Sequence, residues 1–361
     1  MCVVQANILS NQVVLHFADG ATASRNVAGL PAAARAVREL ALAGVEQCWL
    51  TTGDGWRPDR VLRSEVKRLA GAMRVSFAAD RDKARFCGGG GVLWLAGEAI
   101  AAALPARASL MSLAMESGAA DRAASAAAFD GAAHRIIAAT RKPGDGIISR
   151  TLNRPISQAI SRLLLRAPLI RPIHATWLTA LLAAAMLTCL LWGGEAGLLA
   201  GALLFQAASI IDGVDGEIAR ATFRSTDFGA KLDSLVDAAT NIGFIAGVVM
   251  NLWIAGSHNA SLAGGAGLVL MALGLFLIGR QAGTDGTPFT FNAVKDHFRT
   301  SGSRLMQCLT WLTMRDFFAF AAVLFVVSGL AEAGLVIFAT VAAGWLAVVL
   351  VVIGASSRQR A

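Results

Sequence analysis

The chain has 361 residues, 55% of them hydrophobic and only 16% charged, with a mean hydropathy of +0.58. That is too apolar for an ordinary soluble protein and points to a membrane protein with a polar part. A net charge of +8 suits an anionic membrane surface, while basic residues spread out along the flanks of apolar spans argue against a nucleic-acid partner.

The N-terminus, MCVVQANILSNQ, has no basic stretch leading into a long apolar core, so no signal peptide is expected and the first part of the chain should be cytoplasmic. The five cysteines (Cys2, Cys48, Cys87, Cys189, Cys308) are scattered without CxxC or histidine pairing, which argues against a disulfide framework and a zinc site. Tyrosine is absent, so no mechanism can use a phenol.

Residues 1–140 read as a small α/β unit. Strands are expected at Val13 to Phe17, Gln47 to Thr51, Met73 to Phe77 and Val92 to Leu95. The helical patterns PAAARAVRELALAG and PDRVLRSEVKRLAG lie between them and stop at Gly44 and Gly71, as glycine C-caps would. This alternation predicts a parallel sheet covered on both faces. The Gly88 to Gly91 run has the composition of a phosphate cradle, but it precedes a strand and not a helix, which favours a turn.

An Ala-rich helix (Asp121 to Thr140) leads to RKPGDG, where Pro143, Gly144 and Gly146 mark a boundary. Residues 141–172 then form a linker and the amphipathic stretch IISRTLNRPISQAISRLLLR. Its Arg150, Arg154, Arg162 and Arg166 suit a helix lying on the cytoplasmic leaflet.

From 173 to 361 six apolar segments follow, at about 173–193, 197–219, 233–256, 262–281, 316–332 and 335–354. Most approach the ~20 residues that a helix needs to cross the hydrocarbon core. The connections GGEA, GSHNASL and AEAG lack Lys and Arg, whereas the other side is rich in both, so both termini should be cytoplasmic. The expected fold is thus a membrane α-helical protein of six transmembrane helices plus an interfacial amphipathic helix, preceded by a small cytoplasmic α/β domain. A bacterial inner membrane is its expected location.

Residues 212–237, DGVDGEIARATFRSTDFGAKLDSLVD, interrupt this apolar pattern with four aspartates at its cytosolic edge. An ionised carboxylate at membrane depth costs several kcal/mol unless compensated. Arg220, Arg224 and Lys231 are too few and too far apart to compensate all four, and divalent metal is the simpler answer. Asp212, Asp215, Gly216, Ala219 and Arg220 follow helical spacing along one face, and Gly229, Asp233 and Asp237 repeat at i+4 along another. Two such helices facing each other bring together oxygen ligands suited to Mg²⁺ or Mn²⁺. Two ions a few Å apart suit phosphoryl transfer, and glycine on the same faces leaves room for a nucleotide.

These residues resemble the signature of the CDP-alcohol phosphatidyltransferase family, D-x2-D-G-x2-A-R-x8-G-x3-D-x3-D, at every specified position. The resemblance implies a CDP-linked lipid or alcohol donor, an alcohol acceptor, two ions of Mg²⁺ or Mn²⁺, surrounding membrane lipids and a homodimer. It implies that Asp212, Asp215 and Asp233 are metal ligands, and that Asp237 completes the metal site and acts as general base. Gly216, Ala219 and Gly229 would shape the cytidine pocket, with Arg220 contacting phosphate or bracing the aspartates.

The stretch NVAGLPAAARAVRELALAGVEQCWLTTGD resembles cytidylyltransferase-like domains, yet NILSNQVVLHFADGATASR lacks their A-A-G-x-G-x-R loop, which reads as a degenerate, non-catalytic domain. RKPGDGIISRTLNRPIS resembles the branch that makes inositol-phosphate phospholipids and implies CDP-diacylglycerol or CDP-inositol as donor. Arg154, Arg280 and Arg315 are the candidates for binding a phosphorylated acceptor. Lys295, His297 and Arg299 read as solvated, and His174 as an interfacial residue. A transporter using intramembrane aspartates is the alternative, but its sites would be expected near the bilayer midplane, often with inverted repeats.

Overall fold

A computed structural model describes residues 11–53, 56–79, 92–105, 126–142, 144–167, 170–285 and 315–358. The Gly88 to Gly91 run and Lys295, His297 and Arg299 lie outside the described residues. The chain forms two compact units.

The first unit comprises Met1–Arg141, Gln158–Ile170 and Glu217–Arg224. Its sheet consists of β1 (Gln12–Phe17), β4 (Gln47–Thr52), β5 (Arg74–Ala79) and β6 (Val92–Ala96), all parallel in the order β5-β4-β1-β6. A two-residue ladder pairs β2 (Asn26–Val27) with β3 (Leu30–Pro31). Consecutive strand residues point to opposite faces, and Val13, Val14 and Leu15 are all fully buried, so both faces of the sheet are covered. Among the described residues, the helices of this stretch are α1 (Gly20–Ser24), α2 (Ala32–Leu42), α3 (Arg60–Ala70), α4 (Gly97–Ala103) and α5 (Ala126–Ala138). Gly44 and Gly71, at φ 85° and 58°, follow α2 and α3 in the left-handed region, where their lack of a Cβ removes the strain.

Before the membrane segments, a π-helical turn (Ser149–Asn153) runs into α6 (Arg154–Leu164). The buried side of α6 is polar, made of Arg154, Ser157, Gln158 and Ser161, while Ile156 and Leu163 are exposed. An outward apolar edge is the pattern expected of a helix that rests on lipid.

The second unit comprises Lys142–Ser157, Arg171–Gly216 and Ser225–Ala361. Its long helices are α7 (Pro172–Trp192), α8 (Gly194–Thr222), α9 (Asp227–Ile254), α10 (His258–Asp285) and α12 (Ala331–Arg358); α8 runs its last two turns into the first unit. All five are long and apolar enough to cross a membrane. The sixth expected segment, 316–332, is shorter: α11 (Arg315–Val327) has 13 described residues, a rise of roughly 20 Å, and Gly329 at φ 70° follows its end.

Met186, Leu190, Phe205, Phe244 and Val248 form the apolar core of the second unit. The Phe205 and Phe244 rings stack with centroids 4.1 Å apart. Asn251 Nδ2 donates to the carbonyls of Leu190 and Gly194 (2.7 and 3.1 Å), partnering a last-turn carbonyl of α7 and linking it to the first residue of α8.

Candidate metal centre

Helix α8 has 29 residues, a rise of roughly 43 Å against a hydrocarbon core of about 30 Å, so one end extends beyond the core. Asp212 and Asp215 lie in its last three turns, while Asp233 and Asp237 lie in the first three turns of α9. Only Phe223 to Thr226 separate the two helices, so all four carboxylates sit at the same end of a helical hairpin. Thr226 caps α9, its Oγ1 accepting from the Gly229 amide at 3.1 Å.

One oxygen each from Asp212, Asp233 and Asp237 lies within 4.8 Å of the others, and all three residues are half-buried. Asp233 also interacts with the Asp215 carboxyl. Asp215 is 7% exposed, and Thr176 Oγ1 of α7 donates to its Oδ2 at 2.8 Å.

Three ionised carboxylates at this separation repel one another by roughly 3–4 kcal/mol per pair at an effective dielectric constant near 20. Arg154, a buried guanidinium on α6, pairs with Asp145 through Nε and Nη2. An all-oxygen, multiply charged donor set at the end of apolar helices fits a hard divalent cation such as Mg²⁺ or Mn²⁺. The Thr176 hydrogen bond fixes the orientation of the Asp215 carboxyl.

The other expected site residues fall as follows. Gly216 and Ala219 are half-buried on α8, and Gly229 lies in the first turn of α9. Arg220 Nε donates to the Thr140 carbonyl at 2.9 Å, at the end of the Ala-rich segment. Arg154 is 7% exposed and pairs with Asp145 through Nε (2.9 Å) and Nη2 (3.0 Å). Arg280 is exposed on α10, and Arg315 is the first residue of α11. His174 Nδ1 accepts from the Arg171 amide at the start of α7.

Sequence reasoning missed two polar groups. Asn153 Nδ2 donates to Ser209 Oγ (3.3 Å) and Asp316 Oδ1 (2.9 Å), and Gln206 Nε2 donates to Asn153 Oδ1 (2.8 Å). Asp145, read only as part of a boundary, is the ion-pair partner of Arg154. A lone polar residue in an apolar helix was the one available signal for Gln206 and Ser209.

In the first unit, the edge of the sheet where nucleotides bind in doubly wound folds is already occupied. The amide of Ala18, just after β1, donates to Glu98 Oε1 at 2.7 Å. Burial pushes the Glu98 carboxyl above its usual range, against the downward pull of that amide. Asp19 Oδ1 accepts from the Thr22 amide (2.6 Å), capping α1, and the Trp56 ring packs against Gly20.

Residues 170–353 match the family described as CDP-alcohol phosphatidyltransferase. Among curated relatives, a protein of Aquifex aeolicus named "Bifunctional IPC transferase and DIPP synthase" is 42% identical over 109 residues, which are 30% of this chain and 24% of that protein. A protein of the same name from Thermococcus kodakarensis is 39% identical over 109 residues, 30% of this chain and 24% of its own length. The Archaeoglobus fulgidus protein of that name is 37% identical over 111 residues, 31% of this chain and 21% of its own length. The chain thus matches about a quarter of the length of these relatives.

Proposed function

We infer the reaction from one premise: the chain belongs to the CDP-alcohol phosphatidyltransferase family. It is a transferase, and its apolar helices make it an integral membrane enzyme. A CDP-linked alcohol, CDP-diacylglycerol or CDP-inositol, donates its phosphoalcohol or phosphatidyl group to an acceptor hydroxyl of an inositol phosphate or a lipid, and CMP leaves. The observation that carries this reading is the carboxylate cluster of Asp212, Asp233 and Asp237 at one end of the hairpin. The family match supports a CDP-alcohol donor, and relatives named as IPC transferases support a transferase.

Asp212, Asp215, Asp233 and Asp237 would hold two divalent ions, which when bound supply the positive charge that stabilises both the diphosphate and the departing CMP. Asp237 takes the proton from the acceptor hydroxyl as the new P–O bond forms, acting by position because a carboxylate beside cations is a weak base. Thr176 keeps Asp215 oriented, and Gly216, Ala219 and Gly229 leave space for cytidine. Arg220 contacts the phosphates or braces the ligands, and Arg154, Arg280 and Arg315 attract the acceptor's phosphate. In this reading α11 belongs to a sixth span, both termini are cytoplasmic, and the protein is a homodimer. The aspartates' place at the helix ends supports a transferase over a transporter, whose sites would lie near the midplane.

Purified full-length protein in detergent, given Mg²⁺ or Mn²⁺ and CDP-diacylglycerol or CDP-inositol with a panel of alcohols, should release CMP. EDTA should stop the release and added Mn²⁺ restore it. No CMP from any donor and acceptor pair would sink the reading.

The N-terminal domain makes no CDP-alcohol of its own, a reading supported by the Glu98 carboxylate on the Ala18 amide. The full chain, given CTP and inositol phosphate, should release no pyrophosphate above background. Robust pyrophosphate release would show that the domain is a working cytidylyltransferase.

A further inference from the structure

The end of α8, the helix that carries Asp212 and Asp215, is built in an unusual way. Its backbone closes as a Schellman turn: the amide of Phe223 donates to Arg220 O (3.4 Å) and that of Arg224 to Ala219 O (2.8 Å). Such turns place a left-handed residue just past the helix, usually glycine. Here the position belongs to Phe223, at φ 54°, a conformation disfavoured for any residue with a Cβ. Two more carbonyls, those of Ala221 and Thr222, would still lack partners.

Side chains of the N-terminal α/β fold supply what is missing, and all of these residues belong to the first unit. Arg35, only 1% exposed, donates through Nη2 to Ala221 O at 2.9 Å, while its Nε and Nη2 also hold Val27 O and Ala28 O. Arg68 donates through Nη2 to Thr222 O (3.0 Å) and through Nη1 to Phe223 O (2.9 Å). The guanidinium of Arg38 lies 3.7 Å from the centre of the Phe223 ring, and that of Arg35 5.8 Å from it. Glu65 accepts from Arg68 (2.6 Å) and from Arg224, joining the domain's helix α3 to the residue after Phe223. Burial lowers the pKa of Arg35 to about 9, so it is still charged at neutral pH, where positive charge at the negative end of a helix dipole is favourable.

We propose that Arg35, Arg38, Glu65 and Arg68 are positioning residues for transfer: the N-terminal domain, emptied of its own chemistry, clamps the turn between the two aspartate helices. The turn of Phe223 to Thr226 sets how α8 and α9 are spaced and rotated, and with them the carboxylates of Asp212 and Asp215 relative to Asp233 and Asp237. A strained aromatic at that turn holds only while the arginines cover it. The inference rests on the reading of the four aspartates as a metal site, but its test does not depend on turnover.

Mn²⁺ binding to the full-length protein in detergent, followed by electron paramagnetic resonance, reads the carboxylate geometry directly. Arg68→Ala should weaken Mn²⁺ binding roughly tenfold, as loss of an outer-shell support does. Phe223→Gly removes the strain and the stacked ring together. It should fold as well as the parent yet also bind Mn²⁺ more weakly, and it carries the test if Arg68→Ala does not fold. Arg68→Lys, which keeps one cation at the carbonyls, should lie between Arg68→Ala and the parent. Arg60→Ala, an exposed residue at the start of the same helix, should match the parent. A merely structural role would reduce the amount of folded protein without moving the affinity of what remains.

Unchanged Mn²⁺ affinity in both Arg68→Ala and Phe223→Gly overturns the clamp, as does a parent that binds no Mn²⁺. A parent that binds Mn²⁺ without ever releasing CMP refutes the transferase reading alone.

Discussion

Replacing Asp237 with asparagine should lower CMP release on the order of 10³-fold, and saturating metal should not restore it. The substitution keeps the shape of the side chain and removes one charge and one proton acceptor. Asp237 shares its cluster with Asp212 and Asp233, so metal binding should weaken as well. Asp212→Asn gives the contrast: it loses a ligand and no proton acceptor, and excess Mn²⁺ should recover much of its rate. Should the two variants respond alike to metal, Asp237 is a ligand only. An Asp237→Asn protein as active as the parent would remove the aspartates from the mechanism.

Stability separates chemistry from misfolding here. Three clustered carboxylates repel without a cation, so the parent should gain stability as Mn²⁺ is added, by RT ln(1 + [L]/Kd). Asp237→Asn should melt no lower than the parent in EDTA, because a repelling charge is gone, and should gain less from Mn²⁺. A variant that is inactive and also melts far below the parent in EDTA would mean a folding defect.

How much of this was legible beforehand depended on the range of the interaction. The aspartates of α8 and α9 follow helical spacing, so their shared faces could be read directly from 212–237. The strands began within a residue or so of their expected positions because the apolar runs VVLHF and WLTT are bounded by turn residues. Gly44 and Gly71 stopped their helices as expected, since the left-handed position is a local demand.

What stayed hidden were pairings across long separations. Nothing local says that Thr176 donates to Asp215, or that Asn153 joins Ser209 to Asp316. The end of α8 was misleading for another reason. A left-handed Phe223 is no turn signal in sequence, because its support comes from Arg35, Arg38 and Arg68, some 155 to 190 positions earlier in the chain. Within 316–332, Gly329 with its positive φ follows the end of α11.

The second large effect concerns Arg154 and Asp145. Their side chains are each 8% exposed, and they meet through Nε and Nη2, a fork geometry that only arginine offers. A Cβ on Gly213 would stand 3.3 Å from Arg154 Nη1, so the guanidinium rests against α8 one residue beyond Asp212. Removing one partner leaves the other charged and buried, which costs about 3–5 kcal/mol. Arg154→Ala and Asp145→Ala should therefore each lower the melting temperature by roughly 4–7 °C in a chain of this size. Replacing both with leucine should lower it less than either single change, because neither half of this ion pair is left without the other.

The pH dependence of this pair has a definite sign. Burial alone would raise the Asp145 carboxyl, but the hydrogen bonds and charge of Arg154, helped by Lys142, hold it below the usual carboxylate range. The pair's contribution is thus complete above the unfolded value of about 3.9 and is lost as pH falls through the lower folded value. The parent's stability should drop more steeply below about pH 4 than that of the double-leucine protein. The double variant also decides what Arg154 does beyond packing. If it folds yet releases no CMP with a phosphorylated acceptor, while metal binding is intact, the guanidinium serves the acceptor pocket. If it folds and works normally, Arg154 is a strut for α6 and the acceptor's phosphate must be held by other cations.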